Sequence, residues 1–476
     1  MIIHLPNLLA VSSQLAPARS QMAFTLGFHI VLASLGVAFP ALMLIANYRG
    51  LRHKDPVALE LAQRWSKVAA VTIAVGAVTG TVLSFEFGLL WPAFTGRFGE
   101  VFGVAFAIEG IFFFTEAIFM AIYIFGWKRL SGWAHFWTGI PVVIAGLGGA
   151  FSVVAVNSWM NQPDGFTITN GQVTNVAPLD AIFNRATAYE VPHMILAAYL
   201  VTGFLVASVY AVGMLRGRRD RHHRLGLLIP LTVASIATPI QFVVGDTAAR
   251  AIASDQPIKF AGMECVQQTH RDVTEYLGGR CTSDGVKGGI AIPGFDSFLV
   301  GFSTNTKVTG LDSVPASDRP PANTMLHWAF DTMVGICSVL ILLGLWLGWA
   351  WWRRRDIPSS RWFLRAAAAS GVAAVVALEC GWIVTEVGRQ PWVVYEFMRT
   401  KDAVTGASGV WVTFSATLVL YTVLGVATVL ILRTMARRWR TEEIGDAEVP
   451  YGPGEPAPPR EPAPPTETKP RTGRAG

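Results

Sequence analysis

QMAFTLGFHIVLASLGVAFPALMLIAN, residues 21–47, contains no Asp, Glu, Lys or Arg and a single ionisable side chain, His29. A helix of about 20 such residues crosses the roughly 30 Å hydrocarbon layer of a bilayer, so this stretch predicts a membrane span. Equivalent apolar runs recur at about 66–91, 101–126, 135–158, 189–213, 225–247, 325–350, 363–386 and 409–433. The chain as a whole agrees: of its 476 residues 52% are hydrophobic and 15% charged, with 16 Trp and 28 Phe. Soluble domains carry about a quarter charged residues. The expected fold is therefore an all-α polytopic membrane protein of nine transmembrane helices.

Lys and Arg gather in alternate connections: Arg49, Arg52, Lys54, Arg64 and Lys67; Lys128 and Arg129; Arg216, Arg218, Arg219, Arg221 and Arg224; Arg353, Arg354, Arg355 and Arg361. With Arg433, Arg437, Arg438 and Arg440 after the last span, these predict cytoplasmic loops and a cytoplasmic C-terminus, with the N-terminus outside. The net charge of +6 thus reads as a topology signal and gives no support to nucleic-acid binding. Residues 1–434 form the expected membrane domain, within which 248–324 is a long outer loop. Residues 435–476, Pro- and Glu-rich from 449 onward, read as a disordered cytoplasmic tail. The first twenty residues lack a basic n-region and a long apolar core, which argues for a short interfacial segment over a cleaved signal. Cys265 and Cys281 share the outer loop, where a disulfide is an open alternative to free thiols; Cys337 and Cys380 fall within spans as small core residues.

Ionisable residues inside spans are costly and point to function. The candidates are His29, Glu109, Glu116, His193, Asp331, Glu379 and Glu386. Glu109 and Glu116 are seven apart, two helical turns, and share a face; Glu379 and Glu386 repeat the interval. In TEVGRQPWVVY (385–395) Arg389 follows Glu386 by three, a spacing that allows a plain structural salt bridge. With the predicted topology, His29, His193 and Met333 lie within about eight residues of the outer ends of their spans, roughly 10 Å deep, and Glu386 lies at the outer end of its own. Four potential ligands from four helices thus meet in one leaflet. His, Met and carboxylate among so many Phe and Trp suggest haem: a His/Met pair would hold a low-spin electron-transferring haem, and an open ligand an O2-reactive one. No Cys/His cluster has zinc spacing.

Several stretches together resemble subunit I of the bacterial cytochrome bd-type quinol oxidases, from about Arg19 to the last span. They are ARSQMAFTLGFHIV (18–31), TVLSFEFGLLW (81–91), AFAIEGIFFFTE (105–116), VAVNSWMNQP (154–163), GDTAARAIASDQPIKFAGME (245–264) and ECGWIVTEVGRQPW (379–392). The resemblance implies that His193 and Met333 are axial ligands of a low-spin haem b. It implies that His29 and Glu386 serve two high-spin haems, one b-type and one haem d or a further haem b in its place, where O2 is reduced. Arg389 would balance propionate or carboxylate charge, and Trp382 would pack on a macrocycle. Lys259 and Glu264 match the quinol-binding positions of the outer loop, and Glu109 and Glu116 match proton-conducting carboxylates.

The same resemblance implies a bacterial inner-membrane location in lipid, a multi-span subunit II as partner, and room for very small single-span chains. It also implies a catalytic cycle that generates a proton-motive force without a separate pump. The compact outer loop is similar to the short-loop branch that includes cyanide-insensitive oxidases. AFDTMVG (329–335) departs from many relatives in carrying Asp331 where they carry Arg, a charge expected to lower the potential of the low-spin haem. A haem-b electron-transfer subunit without O2 reduction and a proton-coupled transporter are the alternative functions. Ubiquinol versus menaquinol, and which high-spin iron takes which ligand, stay open at this point.

Overall fold

The computed structural model describes residues 5–441 and Tyr451, with side chains from Gln14. In chain order the helices are α1 (Leu5–His53), α2 (Pro56–Leu90), α3 (Pro92–Gly126), α4 (Gly132–Asn161), the short α5 (Pro178–Ile182), α6 (Thr187–Leu215), α7 (Arg221–Asp255), the short α8 (Pro257–Met263) and α9 (Phe295–Gly301), α10 (Asn323–Arg354), α11 (Arg361–Gly388), the short α12 (Thr400–Ala403) and α13 (Val410–Thr441). Nine of these are long and apolar enough to cross a membrane, among the described residues. Each contains one of the nine predicted runs.

The helices outrun the apolar stretches because their ends are set by capping and charge. Asp55 caps α2 by accepting the Ala58 N–H, with Pro56 at the first helical position, and Asp220 and Ser360 cap α7 and α11 in the same way; such caps satisfy backbone donors with no partner in the helix. Arg353 and Arg354 close α10, and Arg438 and Arg440 close α13, where cations complement the carbonyl end. Asp55 also accepts from Arg221 at 2.6 Å, fastening the α1–α2 turn to the start of α7.

Two expectations change. Leu5 onward belongs to α1 without a break, so the N-terminal residues described are no separate segment. Residues 435–441, assigned to the tail, are helical, and Tyr451 packs on Trp127 with ring centroids 5.4 Å apart. The rest of the expected tail, 442–450 and 452–476, lies outside the described residues.

α6 lies at the centre, packed along α7, α11, α1 and α4. Small residues let the backbones approach, as in other membrane bundles: a Cβ at Gly371 of α11 would sit 2.5 Å from Ser208 Oγ and 2.9 Å from the Leu205 Cα of α6. Large apolar side chains point outward from α3, α10 and α13, among them Ile111, Phe114, Phe125, Leu342, Leu345, Val419 and Val423. In a bilayer these faces meet lipid or another membrane subunit.

Between α4 and α5, β1 (Thr167–Thr169) and β2 (Gln172–Thr174) form a short hairpin, and the loop between α7 and α10 is folded. Its hairpins pair β3 (Glu275–Leu277) with β6 (Ile290–Ile292) and β4 (Arg280–Thr282) with β5 (Gly285–Lys287), around a small core of Phe260, Val266, Val273, Val308 and Leu311. Cys265 and Cys281 are disulfide-bonded, with Cα atoms 5.6 Å apart.

Candidate functional site

A cavity of about 1800 Å³ runs through the bundle, well above the roughly 300–1,000 Å³ typical of a site for one drug-sized ligand. The ten side chains given a ligand, quinol or proton role from sequence all line it, His29, Glu109, Glu116, His193, Lys259, Glu264, Met333, Trp382, Glu386 and Arg389, and so does Asp331. Glu379 is absent from its lining; a Cβ at Gly27 of α1 would lie 3.3 Å from a Glu379 oxygen, which places that carboxylate at the α1–α11 contact.

His29 is oriented by Thr79 on α2. The Thr79 hydroxyl donates to the carbonyls of Val75 and Gly76, at 3.1 and 3.0 Å, and lies 2.9 Å from His29 Nδ1. With its one proton so used, the hydroxyl accepts from Nδ1–H, which assigns the tautomer and leaves the Nε2 lone pair for a metal. Gly80 lets the ring lie against α2: a Cβ there would be 3.0 Å from His29 Cε1.

His193 on α6 meets the Gln241 amide of α7 at 3.2 Å, while Gln241 Oε1 is buried without a partner. Turning the amide over makes Oε1 the acceptor for a ring N–H, the second-shell bond a ligating histidine uses. Met333 on α10 needs Gly381 opposite, where a Cβ would be 2.9 Å from its sulfur.

Glu386 accepts from Asn157 Nδ2 at 2.7 Å and from Arg389 at 2.6 Å. The salt bridge that the i, i+3 spacing allows is therefore formed. Arg389 is 3% exposed, and its Nε and Nη1 have no acceptor. Two buried donors facing a cavity suit an anionic group such as a carboxylate. Beyond them Asn161 of α4 donates to Glu190 at 3.0 Å and receives Lys259 Nζ at 3.5 Å, while Gln256 donates to the Asn161 carbonyl at 2.6 Å. Two cations, Lys259 and Arg389, thus face two carboxylates, Glu190 and Glu386.

Lys259 lies in α8, outside the nine spanning helices, and burial pushes its ammonium down to about 8, against the opposing pull of Glu190. The same effect, with the charges of Glu275 and Asp331, holds the Glu264 carboxyl well above the usual carboxylate range. Asp331 accepts the Gly278 N–H and stands 3.5 Å from His327 Nε2, so it ties β3 and its turn to α10.

Sequence reasoning missed Glu190 and Glu86, both ionisable residues within predicted spans. Glu190 sits three residues before His193, and Glu86 lies inside TVLSFEFGLLW, so scanning every run to its ends would have found them. Glu86 accepts from Gln21 and Thr25 at 2.8 and 3.0 Å and joins α2 to α1 away from the cavity.

Residues 17–439 match the family model for cytochrome bd terminal oxidase subunit I. The chain belongs to that family. It is 34% identical over 435 residues to the putative cytochrome bd menaquinol oxidase subunit I of Bacillus subtilis, covering 90% of this chain and 97% of that one. It is 30% identical over 438 residues to the cytochrome bd ubiquinol oxidase subunit 1 of the same organism, covering 88% and 92%. The solved structure of bd oxidase from Geobacillus thermodenitrificans superposes with a TM-score of 0.83 at 34% identity, over 89% of this chain and 98% of that one. The bd family is haem-containing, its members are oxidoreductases of the electron-transport chain, and subunit I works beside a subunit II. The donor set in the cavity fits such groups: an imidazole with its second nitrogen anchored, another facing an amide, a thioether lodged over a glycine, and an arginine with two unused donors.

Proposed function

We propose that this chain is the haem-bearing subunit of a terminal quinol:O2 oxidoreductase, with its N-terminus and the loop between α7 and α10 outside the bacterial cytoplasmic membrane and its C-terminus inside. The observation that carries this reading is that ten residues from five spanning helices and the loop between α7 and α10 line one cavity, in a chain of the bd family. His193 and Met333 would hold a low-spin haem b. His29 and Glu386 would hold two high-spin haems, one b-type and one haem d or a further haem b. When bound, these groups supply one-electron transfer and O2 reduction.

The chain's own residues supply the proton chemistry and the positioning. Lys259 donates a hydrogen bond to quinol, and the Glu264 carboxylate takes a proton from its hydroxyl; both line the cavity from the loop side. Glu116 and Glu109, two turns apart on α3, pass protons along one helix face in that order from the cytoplasm toward the haems. Quinol protons leave outside while those for water come from inside, which builds a potential without a separate pump. Arg389 orients Glu386, with Asn157 fixing its other oxygen.

The test is the spectrum and O2 consumption of the purified complex, subunit II included. Glu386→Ala is expected to disturb a high-spin haem and abolish O2 uptake with the low-spin band intact. Loss of the low-spin band alone would refute the assignment.

A further inference from the structure

The folded loop contains a second polar centre. Glu264 follows α8, Glu275 opens β3 and Asp296 lies in the first turn of α9. They are 2%, 5% and 0% exposed, and one carboxylate oxygen from each lies within 4.8 Å of the other two. Both oxygens of Asp296, and Oε2 of Glu264 and of Glu275, are buried with no hydrogen-bond donor. Asp296 is what separates this centre from a chance gathering of acids: it is fully enclosed on an element of its own, aimed at the other two, and neither oxygen is satisfied.

The neighbouring polar groups are committed elsewhere. His327 bonds the Met263 carbonyl at 2.7 Å and the Gly278 carbonyl at 3.2 Å, and Asp331 takes the Gly278 N–H. Lys259 reaches Asn161. Buried carboxylates are normally met by donors or by positive charge; here the chain offers Glu275 only the charge of His327, itself bonded to two carbonyls, and a bond shared with Asp296, and it offers Glu264 and Asp296 no cation.

We propose that Glu264, Glu275 and Asp296 form a divalent-cation site that takes calcium. An all-oxygen, all-carboxylate set disfavours the softer transition metals, which prefer sulfur and imidazole. Ligand atoms this far apart fit around a cation with oxygen bonds of about 2.3–2.6 Å, whereas magnesium keeps most of its waters and takes one or two carboxylates. The cation would fasten α8, β3 and α9 together. Because Glu264 also lines the cavity, it would fix that wall where quinol binds, a consequence that rests on the function proposed above, although cation binding itself does not.

The test uses the purified oxidase complex and calcium alone as probe. Elemental analysis is expected to find about one calcium per subunit I, removed by chelation, with thermal stability of the haem absorbance falling on removal and returning on calcium addition. Asp296→Asn is expected to weaken calcium binding at least tenfold at unchanged haem content, and chelation to raise the quinol KM several-fold. A wild-type complex with no calcium above buffer level and no calcium-dependent stability overturns the proposal, and leaves protons to neutralise the cluster. If the variant does not accumulate, the wild-type chelation decides. Calcium present in a complex that consumes no O2 would instead sink the oxidase reading and leave the site standing.

Discussion

Thr79 carries no charge and touches no substrate, yet it decides which nitrogen of His29 is bare. Thr79→Val removes the acceptor for Nδ1–H at nearly constant volume. Loss of such a second-shell partner typically costs about 10–100-fold in metal affinity, so the expected outcome is a loss of one high-spin haem signal on purification, restored by Thr79→Ser. Lys259 gives a pH test. Its pKa is depressed from 10.5 to about 8 by burial, with Glu190 and Glu386 opposing and Arg389 reinforcing the shift. Below about 8 the ammonium is present to donate; above it the charge is lost. The quinol KM is expected to rise as pH passes upward through that value, and Lys259→Met to abolish the inflection. His29, His193 and Glu386 were legible as sequence because ionisable residues inside apolar runs stand out. Asn157, Asn161, Thr79 and Gln241 were not, since uncharged polar residues are common in spans and only packing shows which ones meet a candidate site side chain.

All nine spanning helices were legible from hydropathy alone, because each had to present an apolar length matching the bilayer. Their ends were not: caps such as Asp55 and closing arginines such as Arg354 extend helices beyond the greasy stretch, and α1 continues upstream through Pro17. The three-residue strands of the loop between α7 and α10 carry no periodicity to read. At the α6–α11 contact the backbone of Leu205 cannot yield to a side chain on α11. Gly371→Val is therefore expected to destabilise the bundle by about 1–3 kcal/mol, the usual range for overpacking, measurable as faster thermal loss of haem absorbance. Val372→Leu, at an exposed position of α11, should leave it unchanged.

At the scale of the whole molecule, the proposed orientation has a direct check. Single cysteines at Ser303 and at Arg218, both exposed, are expected to differ in intact cells: an impermeant thiol reagent should label the first and reach the second only after lysis. The reverse pattern would invert the proton geometry. The shared cavity also bears on how the protein is made. One chamber bounded by α1, α2, α3, α4, α6, α7, α10 and α11 means that no single helix pair completes its own interior. Anything that binds the folded chain there draws the folding equilibrium forward by mass action. Cofactor supply then becomes a quality-control gate: cells limited for haem synthesis should hold less of this chain at equal transcript level, the shortfall being met by proteolysis.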